Sequence, residues 1–308
     1  ENSANANIGN TLTMLGQLRR RTGDYEGARA MLERGLAIRR RASAPMSPVV
    51  AQALESLAGL LEEMGDFATA LPHREESVRI RERAQGPENA EFANALEGMA
   101  RLRVALHQPA EALPLARRAI AIREKALGAD NERLARMYAT QGDAQRAQGD
   151  TRAALASYER AQAIDRTAGV TGRATHAPTL WRLGLAHLAL GEPARAESVL
   201  AEAVALANRT LGPGHPLALD ITDALAHAER DLGRTEDALA HALAAERAGR
   251  ELFRLQAPSL SERQALRYAD VRPSGLPIAI DLVVRTQDPA RVAEVWDGLM
   301  HRRGQVLD

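Results

Sequence analysis

Apolar residues recur along this chain at helical spacing, and the pattern itself recurs. Leu12/Leu15, Leu54/Leu57, Leu96/Met99 and Leu180/Leu183 share one register, and a small residue follows that register in every copy: Gly16, Ala58, Ala100, Gly142, Gly184 and Ala226. An i, i+3 apolar pair with a small neighbour predicts a helix with one buried stripe. A second stripe follows on the next predicted helix, where Ile38, Ile80, Ile122, Ile164 and Leu206 hold the inward position. Between the two helices stands Gly23, then Gly65, His107, Gly149, Gly191 and Gly233, each 42 residues after the last. Five residues beyond each comes an alanine: Ala28, Ala70, Ala112, Ala154, Ala196 and Ala238. Six copies at constant spacing, without an insertion, define an internal repeat.

Each recurrent position has a physical reason. The glycine ends the first helix, where a left-handed backbone is cheap only without a Cβ. Asp24, Asp66 and Asp150 follow it as N-caps of the second helix, and Pro109 and Pro193 stand where a first helical residue is expected. The alanine falls in the first turn of the second helix, where a methyl allows close approach and a larger group overpacks the crossing. A single hairpin of this kind cannot bury its stripe, so neighbours must stack. The expected fold is all-α: six helical hairpins in residues 1–253, with a helical capping or linker segment in 254–308. In copies four and six Tyr138, Gln141 and Thr222 interrupt the aliphatic pattern, and looser packing is expected there.

The large–x–x–large–small run on the first helix and the small residue opening the second resemble the tetratricopeptide repeat (TPR). The 42-residue period and the loop L-G-P-G-H-P (Leu211–Pro216), with Q-G-P-E-N-A and L-G-A-D-N-E in the same register, resemble the kinesin-light-chain form of it. The resemblance covers residues 5 to 253. It implies a right-handed α-solenoid, a TPR superhelix, that binds a peptide or protein partner on its concave face.

After Phe253 the period fails. Ser259 or Ser261 is placed to cap a helix over Glu262–Val271, Leu276 to Val284 is an apolar run, and Asp288-Pro289 opens a helix to about Arg303. A solenoid's last hairpin needs a cover, and these segments are expected to supply it. Leu260–Tyr268, Gly275–Val284 and Val295–Asp308 also resemble the stretch that joins TPR repeats to a CHAT domain, a caspase-like peptidase module in which Arg303-Gly304 would match the Arg/Lys-Gly pair ahead of the peptidase. That resemblance implies a regulatory or substrate-recruiting arm of a CHAT-type protease, with no catalytic residue in this chain. A free-standing adaptor or peptide sensor is the alternative.

Composition narrows the chemistry. Aromatic residues are 3% against 45% apolar, so alanine and leucine carry the core. Forty basic and forty acidic residues cancel, which leaves no electrostatic footprint for nucleic acid or a membrane surface. There is no cysteine, so disulfides and thiolate chemistry are excluded, in keeping with a cytoplasmic setting. No apolar run approaches the roughly 18 residues that cross a bilayer. The histidines form no ligand cluster such as H-E-x-x-H, adjacent acidic pairs diverge by about 100° on a helix, and no phosphate loop is present. No metal, cofactor or catalytic residue is assigned. Arg39–Arg41 read as helix-terminal cations that complement the macrodipole.

What remains is the concave face, lined in such a solenoid by the first helix of each hairpin. Its off-stripe registers give Asn10, Gln52 and Asn94 with Arg136; Thr13, Glu55 and Glu97 with Trp181; Gln17 and Arg101 with Leu185; and Arg20 with Arg146. The polar members offer donors and acceptors to an extended backbone, and Trp181 with Leu185 and Leu188 offers an apolar anchor pocket.

Overall fold

The computed structural model describes residues 2–22, 24–256, 275–287 and 289–304. Gly23, the expected helix over Glu262–Val271 with its caps Ser259 and Ser261, the Leu260–Tyr268 stretch and residues 305–308 lie outside the described residues. Fourteen α-helices occupy the described residues, packed in consecutive pairs. The six hairpins are α1 (Asn2–Arg21) with α2 (Tyr25–Ala42), α3 (Pro48–Glu63) with α4 (Phe67–Gln85), α5 (Ala90–Ala105) with α6 (Pro109–Leu127), α7 (Arg133–Ala147) with α8 (Thr151–Thr167), α9 (Ala177–Ala189) with α10 (Pro193–Thr210), and α11 (Pro216–Asp231) with α12 (Thr235–Gln256). Two further helices follow, α13 (Leu276–Thr286) and α14 (Pro289–Gly304). The chain forms two compact units, Glu1–Ile164 and Asp165–Asp308.

The hairpin turns are built as their sequence dictates. Gly65, Gly149, Gly191 and Gly233 hold φ between +72° and +87°. A Cβ at any of them would meet nothing within 4 Å, so backbone conformation alone selects glycine there. His107 takes the same place in copy three at φ +57°, a conformation that costs a side chain free energy. Asp24, Asp66 and Asp150 accept from the backbone N–H groups of Gly27 (2.9 Å), Thr69 (3.2 Å) and Ala153 (3.0 Å), each capping its helix. A second set of caps recurs at the start of the A helices: Ser47, Asn89, Asn131 and His215 accept from Val49, Glu91, Arg133 and Leu217.

The six recurrent alanines are all fully buried, with 0% of their surface exposed. They mark the crossing of the two helices. A Cβ on Gly16 would come within 3.2 Å of the Ala28 carbonyl and 2.8 Å of Leu32 Cγ. At the same register Gly142 would meet Tyr158 at 2.4 Å and Gly184 would meet Leu200 at 2.3 Å. Where the facing residue is instead alanine, as at Ala116 and Ala242, the helix A position is Ala100 and Ala226. Copy two has Ala58 with Arg74 at this offset, and in the three copies with glycine a leucine or tyrosine fills the crossing.

In the first unit one core runs from Leu32 and Leu36 through Val50, Leu54, Leu57 and Leu61 to Ile80, and another joins Phe92, Leu96 and Ile120 to Leu134, Met137 and Ile164. Ile38 is only half buried, whereas Ile80, Ile122, Ile164 and Leu206 are inside. In copy four Tyr158 lies over Gly142 and is itself fully buried. In the second unit α9, α10 and α11 share a core of Leu180, Leu200, Leu206, Ile221 and Leu225. There α13 lays Leu276, Ile278, Leu282 and Val283 on Ala238, Leu239, Ala242 and Leu243 of α12. Gly275 is required at its start, since a Cβ would stand 1.9 Å from the Ala242 carbonyl oxygen. Among the described residues no helix is long and apolar enough to cross a membrane.

Two expectations follow for stability, both read by urea or thermal melts. Ala112→Leu or Ala154→Leu should cost about 1–3 kcal/mol through overpacking of the hairpin crossing, and an unchanged melt would refute that placement. His107→Gly should gain about 0.5–1 kcal/mol by relieving the left-handed backbone, while Gly65→Ala, with open space but the wrong φ, should lose a similar amount.

Candidate functional site

Consecutive helices pack together, and the A helices also touch one another: α1 meets α3, α3 meets α5, and α5 meets α7. In the first unit this gathers their off-stripe registers into one groove of about 610 Å³. Gln17 and Arg20 of α1, Gln52 and Glu55 of α3, Arg101 of α5 and Arg136 of α7 line it, together with Ser56, Gly59, Glu62 and Glu63. Six residues chosen by register from sequence therefore meet at one site.

Beneath its surface runs a chain of ion pairs. Glu97 is 2% exposed and takes Arg136 Nη2 at 3.1 Å, the Thr140 hydroxyl at 3.1 Å and Arg101 Nη1 at 3.8 Å. Arg101 also donates to Glu62 at 3.0 Å, and Glu62 accepts from Arg74 Nε at 2.7 Å. Two absent side chains make room for these guanidinium groups: a Cβ on Gly98 would stand 2.5 Å from Arg74 Nη1, and one on Gly59 would stand 3.3 Å from Arg20 Nη1. Burial would lower the Arg101 pKa, but Glu97 and Glu62 outweigh it and raise it, so the guanidinium stays charged. The side chains of Arg101 and Arg136 are 44% and 57% exposed. Each is thus anchored on one edge and open to a partner on the other. All three carboxylates that line the groove (Glu55, Glu62 and Glu63) are ion-paired, as is Glu97 beneath them, and no histidine lines the groove.

The structure adds a set of residues that the sequence reading missed. Arg39, Arg81 and Arg123 lie 42 residues apart on α2, α4 and α6, and they are 4%, 6% and 2% exposed. Arg39 stands in the last turn of α2, as expected of a helix-terminal cation, and is also buried. It donates to Asn10 Oδ1 at 2.7 Å and to the Val49 carbonyl at 3.0 Å. Arg81 grips both oxygens of Glu55 at 3.0 Å each, and Ser77 adds a bond of 2.7 Å. Arg123 donates to the Ala90 carbonyl at 2.9 Å and to Asn94 Oδ1. Burial lowers the pKa of both Arg39 and Arg123. These arginines position groove-side amides and carboxylates from behind. Their 42-residue recurrence, next to the buried isoleucines, was the available signal.

Several expected site residues sit elsewhere. Thr13 is buried, with its hydroxyl donating to the Gly9 carbonyl at 2.9 Å, and it packs against Gly35 of α2. Asn10 and Asn94 are held by the buried arginines, and Arg146 is exposed but lies outside the groove. Trp181 and Leu185 belong to the second unit, half-buried with Leu188 against the α9–α11 core. Among the described residues no group of three or more His, Asp or Glu side chains could hold a metal. His215 caps α11, and His176 is buried against Asp165 at 2.7 Å.

The second unit handles the same registers differently. Where the first has buried arginine, it has Asp165, Ala207 and Gly249. On α11, Asp220 and Asp223 occupy the Asn10 and Thr13 registers, and among the described residues no arginine forms an ion pair with them. Burial pushes Asp220 up to about 6, and burial with the neighbouring Asp220 pushes Asp223 up to about 6. His227 Nε2 lies 3.8 Å from Asp223, but burial and Arg230 lower its pKa, so it is neutral at pH 7. A carboxyl whose folded pKa exceeds its unfolded value stabilises below the unfolded pKa, near 3.8, and loses that contribution as pH rises through about 6. Asp223→Asn should therefore stabilise by about 1–2 kcal/mol at pH 7.5, and the gain should shrink toward pH 4. The difference in melting between variant and parent across that range is the measurement, and a pH-independent difference would refute the assignment.

Models of the tetratricopeptide repeat match residues 49–125, 91–167 and 175–251, and a second model of the repeat matches residues 7–45. No protein of curated function matches the chain. Among solved structures, TPR-like repeats from Podosopora anserina described as kinesin light chain are 22% identical, with a TM-score of 0.55, covering 66% of this chain and 96% of theirs. BtubC (BKLC) from P. vanneervenii is 17% identical, with a TM-score of 0.61, covering 73% of this chain and 90% of its own. A Rap protein complexed with competence and sporulation factor is 13% identical, with a TM-score of 0.60, covering 96% of this chain and 74% of its own. At these identities the likeness is one of fold. The repeat models, by contrast, match more than half of the sequence, and the chain belongs to the tetratricopeptide repeat family.

Proposed function

We propose that this chain is a cytoplasmic scaffold that holds an extended peptide, or an extended segment of a partner protein, along the A helices of residues 1–164. Tetratricopeptide repeats generally serve as protein–protein interaction scaffolds. The observation that carries the present reading is the groove itself, where Arg101 and Arg136 are anchored on buried Glu97 and still present N–H donors outward. Such donors, with the amides of Gln17 and Gln52, match the carbonyl groups and acidic side chains of an extended chain. Its carboxylates are all engaged by arginine, which supports binding rather than proton transfer. In the second unit, Trp181, Leu185 and Leu188 supply an apolar surface for an anchor side chain. The α13–α14 segment is proposed as the cover of the last hairpin. The resemblance of residues 260–308 to a TPR–CHAT junction extends the proposal to a recruiting arm for a CHAT-type protease. The natural reading frame past Asp308 tests that extension by the presence or absence of a domain with a His/Cys pair.

The groove is tested with Arg101→Gln and Arg136→Gln combined. Glu62 keeps Arg74 and Glu97 keeps Thr140, so the helical circular-dichroism signal should persist. Affinity for a partner captured from the native host and identified by mass spectrometry should fall at least about tenfold, given roughly 1.5–3 kcal/mol for a charge-assisted bond. Arg146→Gln, outside the groove, should leave it unchanged. Equal affinity in all three proteins would overturn the groove assignment.

A further inference from the structure

One pair of positions is filled in three ways in three successive hairpins. Arg39, Arg81 and Arg123 hold a buried register on α2, α4 and α6, and Thr13, Glu55 and Glu97 hold one register on α1, α3 and α5. In the second hairpin the pair is closed: Arg81 Nε donates to Glu55 Oε1 and Nη2 to Oε2, both at 3.0 Å. In the first, position 13 is threonine, and Arg39 Nε is buried with no hydrogen-bond partner among the described residues. The third has its carboxylate, yet Arg123 Nε is equally without a partner. Glu97 turns the other way instead, to Arg136, Thr140 and Arg101. The next A helix is the reason, since α7 brings Arg136 and Thr140 to the registers where α5 has Asn94 and Gly98.

Glu97 therefore stands between two sets of cations. Burial lowers the Arg123 pKa, Arg133 and Arg136 add to the lowering, and Glu91 and Glu97 oppose it, so Glu97 acts on Arg123 through space without bonding to it. A buried N–H with no acceptor is a standing cost, which a carboxylate reaching Arg123 would remove. An acidic side chain entering the groove at Arg101 and Arg136 would bring a second negative charge against Glu97, and like charges that share a site oppose each other's ionisation. We infer that Glu97 has two positions: an acidic side chain of the partner, taken by Arg136 and the outer edge of Arg101, displaces Glu97 Oε2 onto Arg123 Nε. The third hairpin then closes the pair that Arg81 and Glu55 close in the second. Oε1 keeps the Thr140 hydroxyl, and the entering and the displaced carboxylate each have a guanidinium, so no buried charge is left unpaired. This rests on the groove as the binding surface and adds the rearrangement that binding brings, one that reaches α6 behind the groove.

Nuclear magnetic resonance of the arginine Nε–H groups reads the position of Glu97, with the Arg123 signal assigned by its loss in Arg123→Lys. Arg101→Gln combined with Arg136→Gln removes both cations that hold Glu97 toward the groove, and needs no ligand. In that variant the Arg123 Nε–H signal should move downfield and exchange more slowly with solvent, and adding Glu97→Gln should abolish the movement. Arg136→Gln alone, a smaller disturbance of the fold, should give the same movement in lesser measure. For the bound state the probe is an N-acetylated hexaglutamate peptide titrated into the parent. The same downfield shift should accompany its binding, and Glu97→Gln should bind it about tenfold more tightly because the competing carboxylate is gone. An Arg123 signal that stays in place in both arginine variants would overturn the inference. So would hexaglutamate that binds the parent without moving that signal, a result that leaves the groove itself standing as the binding surface. Hexaglutamate that binds neither the parent nor Glu97→Gln would overturn both.

Discussion

The crossing of the two helices in each hairpin is the constraint on which the other features depend. It is set by two positions, a fully buried alanine in the first turn of helix B and a small residue on helix A that faces the side chain four residues further on. Gly16 meets Leu32, Gly142 meets Tyr158 and Gly184 meets Leu200, while Ala100 and Ala226 meet alanine. Where helix B brings leucine or tyrosine to the crossing, helix A has glycine, as expected where packing density is near that of a crystal. Because hairpins of like geometry repeat every 42 residues, positions that share a register share a face. A groove lined by Gln17, Arg101 and Arg136, residues more than 80 positions apart at the extremes, follows from that regularity.

Electrostatics then separates the two units. The net charge is zero, yet the first unit sinks four arginines (Arg39, Arg74, Arg81 and Arg123) and Glu97 into its interior. A buried ion is tolerable only with partners of good geometry, and here each guanidinium finds an oxygen of helix A. In the second unit the arginine register has become Asp165, Ala207 and Gly249, and the polar residues it would have met are no longer neutralised. Asp165 recovers a partner in His176 at 2.7 Å. Asp223 has only the more distant His227, at 3.8 Å, and burial raises the pKa of both Asp220 and Asp223. One repeat architecture thus carries a polar, internally neutralised groove in one unit and a more apolar, acid-bearing face in the other.

Much of the fold was legible because its signals are local and recur. Turn glycines, aspartate caps, N1 prolines and crossing alanines each depend on a few neighbouring residues, and six copies average out the noise. In the fourth hairpin Tyr138 and Gln141 do not reveal Tyr158, the side chain that lies over Gly142 from the other helix. The groove was legible as a set of registers but not as a set of bonds. Arg39 is a helix-end cation as read, but its burial was not legible because its partners, Asn10 and Val49, come from two other helices. Thr13 and Glu97 were placed on the open face because they lie off the apolar stripe, but neighbouring helices close over both of them. Pairings across tens of residues leave no local pattern.

The arginine ladder joins stability to recognition. Holding a long side chain at a binding surface costs conformational entropy, and a partner that must order it loses affinity accordingly. In this groove the ordering takes place on folding. Glu97 fixes Arg136 and one edge of Arg101, Glu62 fixes the other edge, and Arg74 fixes Glu62 through the space left by Gly98. Glu55 is held in turn by Arg81 from helix B. The groove on the A helices, the proposed recognition surface, is therefore oriented by residues of the B helices. This accounts for buried cations in a repeat whose crossings need only small side chains: the crossing could be packed without them, but the groove could not be held in one arrangement.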